Sequence, residues 1–163
     1  MGASWESEWG LERLLGEWRI AREISGQGSM SGIASFVVAG EGGLLYRESG
    51  EVRLHDGTRL RGEQCYFYEA IANGFAVYFH DSAELFHRVT FLEVEGDAWV
   101  GRAEHLCKAD IYASRYVFYG NGTFEIRHAV RGPRKDYSVR TRYQRAKILG
   151  EVIGFSVHEC QSF

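Results

Sequence analysis

Residues 98–131 read AWVGRAEHLCKADIYASRYVFYGNGTFEIRHAVR, and the fold follows from how that stretch alternates. Apolar and polar residues change places at every step, which is the period of a half-buried strand and not of a helix. Two breaks interrupt the alternation, Lys108-Ala109 and Gly120-Asn121-Gly122, and both have the size and composition of hairpin turns. The reading is three antiparallel strands over 98–107, 110–119 and 123–131. A two-residue turn at Lys108-Ala109 sets Cys107 opposite Asp110 and His105 opposite Tyr112. One face then runs from Trp99, Gly101, Ala103 and His105 through Tyr112, Ser114, Tyr116 and Phe118. It ends at Phe124, Ile126, His128 and Val130.

The same reading extends in both directions. Strands are expected over 17–24, 31–38, 44–54, 58–71, 75–80, 86–95 and 135–145 as well, with turns at Asp56-Gly57, Asn73-Gly74 and Gly96-Asp97. A helix is expected over 7–15, capped by Ser7, with Trp9, Leu11, Leu14 and Leu15 on one face. The segment 146–163 alternates poorly and reads as a tail packed on the outside. Carried from strand to strand, the inner face collects Trp18, Ile20, Arg22, Phe36, Tyr46, Glu48, Gln64, Tyr66, Tyr68, Phe79 and Arg88. It continues with His105, Asp110, Tyr112, Tyr116, His128, Tyr137 and Tyr143. The loops at 81–84 and 131–136 do not set the register by themselves. Ten sequential hairpin-linked strands, polar outside and without a crossover helix, close best into an all-β, up-and-down antiparallel barrel, because closure removes both exposed edges.

The chain has 163 residues, 19 Lys and Arg against 22 Asp and Glu, 45% apolar residues, 14% aromatics and a single proline. That length suits one domain spanning 1–163. A net charge of −3 argues against a general binder of nucleic acid or anionic membranes. The apolar run FAVYF at 75–79 is far short of the ~20 residues of a membrane helix. No signal peptide is visible at the N-terminus, and Cys65, Cys107 and Cys160 lack CxxC spacing, which together point to the cytoplasm.

Gly16-Glu17-Trp18, opening the first strand after a short helix, resembles the G-x-W start of lipocalin-like (calycin) barrels. The segments GQGSMSGIASF (26–36), LLYRESG (44–50), HLCKADIY (105–112) and GPRKDYSVRTRY (132–143) extend the likeness. Together they resemble a small bacterial and fungal family of lipocalin-like domains of unknown function, over most of 16–145. The resemblance implies that Trp18 plugs one end and that an Arg of the last strand, Arg142 or Arg145, covers it. It implies no reaction. His128 departs from the pattern, where an aromatic is expected, and the tail after Arg145 lies outside it.

Three constellations could carry chemistry. His105, Cys107, Asp110 and Tyr112 project into one mouth of the barrel, where His105 or Asp110 could act as base and Tyr112 as acid. The plainer reading is a hydrogen-bonded cluster tying down a hairpin end, and the spacing matches no zinc motif. Arg22, Glu48 and Gln64 form the second, with Arg88 further round the wall as the better anion ligand. Arg22 and Glu48 are either a buried ion pair across the small Ala34 or a guanidinium offered to a ligand and oriented by the carboxylate. The third is a wall of phenols: Tyr46, Tyr66, Tyr68, Tyr112, Tyr116, Tyr137 and Tyr143. Each buried hydroxyl needs a partner, so these phenols imply a wet cavity or an internal network.

His80 and His87 fall on the outer face in this register, and Arg131, Arg134 and Lys135 surround Gly132-Pro133 in a basic loop. Val89, Phe91, Val100, Leu106, Ile111 and Val117 would form an outer apolar strip, to be covered by the tail or by a second subunit as a homodimer. The leading function is a barrel that holds a small anionic or aromatic ligand, with Arg22, Glu48, Gln64, Tyr66, Tyr68, Arg88, Tyr116, His128 and Tyr137 as its contacts. One alternative is an isomerase, cyclase or decarboxylase working through His105, Asp110 and Tyr112. Haem held by His105 or His128 is a third reading, although no covalent haem motif is present and no cofactor is otherwise indicated. A structural partner domain using the outer strip is a fourth.

Overall fold

The computed structural model describes residues 9–146. Ten strands follow in sequence: β1 (Gly16–Ile24), β2 (Gly28–Val38), β3 (Gly43–Leu54), β4 (Arg59–Ile71), β5 (Gly74–Phe79), β6 (Leu85–Glu95), β7 (Ala98–Cys107), β8 (Asp110–Phe118), β9 (Phe124–Arg131) and β10 (Asp136–Arg145). Each pairs antiparallel with its neighbour in sequence, and β1 pairs with β10 to close the barrel. The sequence-predicted strands agree with these to within three residues at each end. Closure satisfies both edges of the sheet, which an open meander would leave exposed. His105 faces Tyr112 and Cys107 faces Asp110, as the Lys108-Ala109 turn requires, with Lys108 at φ 57°.

The expected helix over 7–15 is not formed among the described residues. Only a short 3-10 turn, Leu11–Leu14, precedes β1, and Gly10 at its start offers no side-chain cap. Gly10 disfavours a continuous helix, and packing decides the rest. Trp9, Leu11 and Leu14 turn into one end of the barrel and are buried there with Trp18, Phe36, Phe75, Phe91, Phe118 and Phe124. Trp9 stacks on Phe91 with ring centres 4.4 Å apart. Trp18 donates its indole N–H to the Leu14 carbonyl at 2.8 Å. The Arg145 guanidinium lies 3.9 Å from the Trp18 ring centre and donates to the carbonyls of Arg13 and Leu15. Arg145, not Arg142, therefore caps the plug, and the cation–π contact contributes on the order of 1 kcal/mol.

Strand β6 departs most from expectation. Val77 pairs with His87 but Tyr78 pairs with Leu85, so Phe86 is an extra residue. Such a bulge re-aims the side chains around it. Phe86 and His87 both turn inward, their rings 4.1 Å apart, and Val89 and Phe91 follow into the core. Arg88 consequently faces outward beside Tyr78 and is exposed, so it is not a lumenal anion ligand. A second irregularity between Thr90 and Glu93 adds one more residue and restores the original face at Trp99. Two one-residue shifts cancel, which is why the inner faces of β7 to β10 follow the sequence-predicted pattern although that of β6 does not.

The same shift breaks the outer apolar strip. Val89 and Phe91 belong to the interior, and only Val100, Leu106, Ile111 and Val117 remain outside. Of these, Val100 and Val117 are buried with Ala98 and Tyr119 in a small cluster, while Leu106 and Ile111 are exposed. The expectation that the tail covers this face falls on residues 147–163, outside the described ones.

Candidate functional site

Above the aromatic plug the barrel encloses a cavity of about 330 Å³. Its lining comes from nearly every strand and includes Arg22, Glu48, Gln64, Tyr66, Tyr68, Tyr112, Tyr116, His128 and Tyr137. It reaches the surface at the end carrying Gln27 and Gln64, both exposed. Eight of the nine ligand-binding residues expected from sequence line this space; Arg88 is the exception. Tyr46, Tyr143 and Phe86 line it as well.

One side of the lumen is an ion-pair network. Arg22 reaches from β1 across β2, where the small Ala34 leaves room, and grips Glu48 on β3 with two bonds of 2.7 and 2.8 Å. Its Nε–H donates to Thr141 at 2.8 Å. Glu48 also accepts from the Tyr46 hydroxyl, which is 3.0 Å from the Tyr143 hydroxyl. Burial would lower the Arg22 pKa, but the bonds and charge of Glu48 hold it above its ordinary value. The Glu48 side chain is 1% exposed, and an unpaired charge there would be very costly. These bonds join β1, β3 and β10 and help hold them in register.

The opposite side is less committed. The bulge aims His87, 3% exposed, at Tyr116, with its Nε2 2.6 Å from the hydroxyl and its Nδ1 buried without a partner. His128 on β9 holds Ser114 through Nδ1 at 2.7 Å and lines the cavity with the rest of its ring. Burial, reinforced by neighbouring positive charge, depresses both histidines, His87 to about 3 and His128 to about 4. Both imidazoles are neutral near pH 7. Burial also keeps Tyr46, Tyr68 and Tyr116 protonated far above the ordinary phenol pKa.

The expected catalytic trio is divided between the lumen and its rim. Tyr112 lines the cavity, but Asp110 is held on the rim by Lys135 at 3.2 Å, which also donates to the Tyr112 hydroxyl at 3.4 Å. His105 packs against Phe86, Tyr112 and Phe79, with ring centres 5.2, 6.2 and 6.3 Å away, behind the lumen wall that Phe86 and Tyr112 form. Lys135 thereby ties the β7–β8 hairpin to the β9–β10 loop. Among the described residues no group of three or more His, Cys, Asp or Glu is placed to hold a metal ion. Sequence reasoning missed His87, and its only signal there was the undetermined register of loop 81–84.

Solved structures with similar architecture include designed barrels. A redesigned β-barrel, mFAP1, bound to DFHBI is 9% identical with a TM-score of 0.38, covering 82% of this chain and 96% of the other. A second redesigned β-barrel, b11L5F_LGL, is 11% identical with a TM-score of 0.39, over 83% and 94%. EF1p2_mFAP2b bound to DFHBI is 10% identical with a TM-score of 0.39, over 85% and 98%. No curated protein matches. A family model matches residues 14–145, the stretch that builds the barrel and its plug, and the chain accordingly belongs to that family of unknown function, DUF6314.

Proposed function

We propose that this barrel binds a small, electrically neutral aromatic molecule in its lumen. The observation that carries the reading is the cavity itself: about 330 Å³, floored by an aromatic plug and walled by phenols. That volume lies within the usual range for ligand sites. It is about twice the ~150 Å³ that accommodates benzene in an engineered protein cavity, so a two-ring ligand suits it. Charge favours the aromatic over the anionic ligand. Among the described residues, Arg22 and Glu48 are the only charged ones of the lining and neutralise each other, and His128 is uncharged near pH 7. An anion would enter without a free counter-charge, whereas an aromatic ring meets Tyr66, Phe86, Tyr112 and Tyr137.

Calorimetric titration at about pH 7.5 with 2-naphthol and 2-naphthoate tests this. The neutral compound is expected to bind more tightly, and Val139→Trp, which fills the lumen, is expected to abolish its binding. Equal or tighter binding of the carboxylate would overturn the neutral assignment, and binding of neither would overturn the reading as a whole.

A further inference from the structure

The β9 wall of the lumen sets one imidazole in an apolar surround. His128 pairs across the sheet with Ser114 on β8 and with Val139 on β10, and Ile126 and Val130 stand two residues before and after it on its own strand. Such neighbours share a face, and Ile126, Val130 and Val139 line the cavity as His128 does. Of these four neighbours only Ser114 has a polar side chain. Its hydroxyl holds the ring at Nδ1, 2.7 Å away, and Ser114 itself is buried. Phe86, whose ring centre is 6.3 Å from that of His128, offers an aromatic surface beside it.

The other ring nitrogen is left for the lumen. Nε2 of His128 has no hydrogen-bond partner among the described residues, and it is not sealed away as Nδ1 of His87 is. Because the ring lines the cavity and Nδ1 is turned to β8, the unbonded nitrogen opens on that space. The imidazole is neutral near pH 7, so Nε2 is a donor or an acceptor according to which way the Ser114 hydroxyl turns. A hydroxyl on the ligand serves both cases, since it donates and accepts alike. A carbonyl or an ether serves only one of them.

We infer that His128 binds, through Nε2, the ring hydroxyl of a neutral aromatic ligand of the phenol or naphthol class, an inference that rests on the lumen being a binding site. A ligand hydroxyl buried against Ile126, Val130 and Val139 alone would lose its water and gain no partner, a cost that the imidazole removes. The ring is already held by Ser114, so little ordering is required when the ligand arrives. His128 thereby determines specificity. It distinguishes a hydroxylated ring from a bare ring of the same shape, while the aromatic walls supply affinity common to both.

The test uses two probes of nearly the same shape, 2-naphthol and 2-methylnaphthalene, in calorimetric titration of the full chain. The affinity ratio of the naphthol to the hydrocarbon is expected to fall about fivefold in His128→Leu, the equivalent of one neutral hydrogen bond. Retained binding of 2-methylnaphthalene by that variant shows that its lumen is intact. Tyr112→Phe, which removes a different hydroxyl of the lining, is expected to leave the ratio unchanged. In the unaltered protein the nitrogen NMR resonance of His128 Nε2 should move further with 2-naphthol than with 2-methylnaphthalene, a readout independent of whether the variants fold. A ratio unchanged in His128→Leu, a ratio that falls in Tyr112→Phe instead, or equal movement of the resonance with both probes would overturn the inference and leave the lumen reading standing. Binding of neither probe would overturn both.

Discussion

Lowering the pH from about 7.5 to 5 should destabilise the barrel through His87 before its carboxylates matter. His87 is 3% exposed, and burial, followed by its proximity to His128 and His105, depresses its pKa from 6.5 to about 3. The unfolded chain takes up this proton near pH 6.5, while the folded chain stays neutral until about 3. Between those values the unfolded state binds more protons, so stability rises with pH. The contribution of neutral His87 is fully present above about pH 6.5 and is lost as pH falls toward 3. One proton corresponds to about 1.36 kcal/mol per pH unit, so reaching pH 5 removes about 2 kcal/mol. His128, depressed to about 4, acts in the same direction over this range. Urea unfolding followed by tryptophan fluorescence across this range measures the slope. His87→Phe should flatten it by about one proton. A slope identical in the two proteins, or an NMR titration of His87 centred near its ordinary pKa, would refute the placement of this imidazole in a dry interior.

Glu48→Gln should destabilise the fold by about 3–5 kcal/mol, because it leaves the Arg22 guanidinium buried without its partner. The double variant Arg22→Met/Glu48→Met should lose far less, and denaturant midpoints of the three proteins give the comparison. Arg145→Ala should cost about 1–2 kcal/mol through the loss of its contact with Trp18 and two carbonyls, whereas Arg142→Ala should be nearly neutral by the same measurement. Phe91→Glu should abolish the cooperative unfolding transition instead of altering self-association, because the ring stacks on Trp9 inside the barrel.

The barrel was legible because tight turns transmit a face from one strand to the next. Lys108-Ala109 and Gly96-Asp97 leave no latitude, and the inner residues they specify, from Trp99 through Tyr143, are those that face inward. Loop 80–84 carries no such constraint, and the extra residue at Phe86 is invisible to a strict alternation. Arg88 and His87 exchanged faces for that reason. The pairing of Arg22 with Glu48 was legible as one of two options. That Tyr46, Tyr143 and Thr141 extend the pair into a network was not legible, because their bonds cross between strands distant in sequence. The helix over 7–15 failed differently: its apolar spacing was real, but the barrel end recruits those side chains from a single turn.

The polar wall of this lumen is organised by pairing as much as by charge. Arg22, Glu48, Tyr46 and Tyr143 are its most conspicuous polar residues, and they bond one another. Displacing any of those bonds with a ligand would trade one good hydrogen bond for another and gain little. The bulge in β6 changes the opposite side. By turning His87 inward it sets an imidazole nitrogen 2.6 Å from the Tyr116 hydroxyl, and it leaves Arg88 outside. A local irregularity that defeats the alternation therefore decides which polar groups the interior holds.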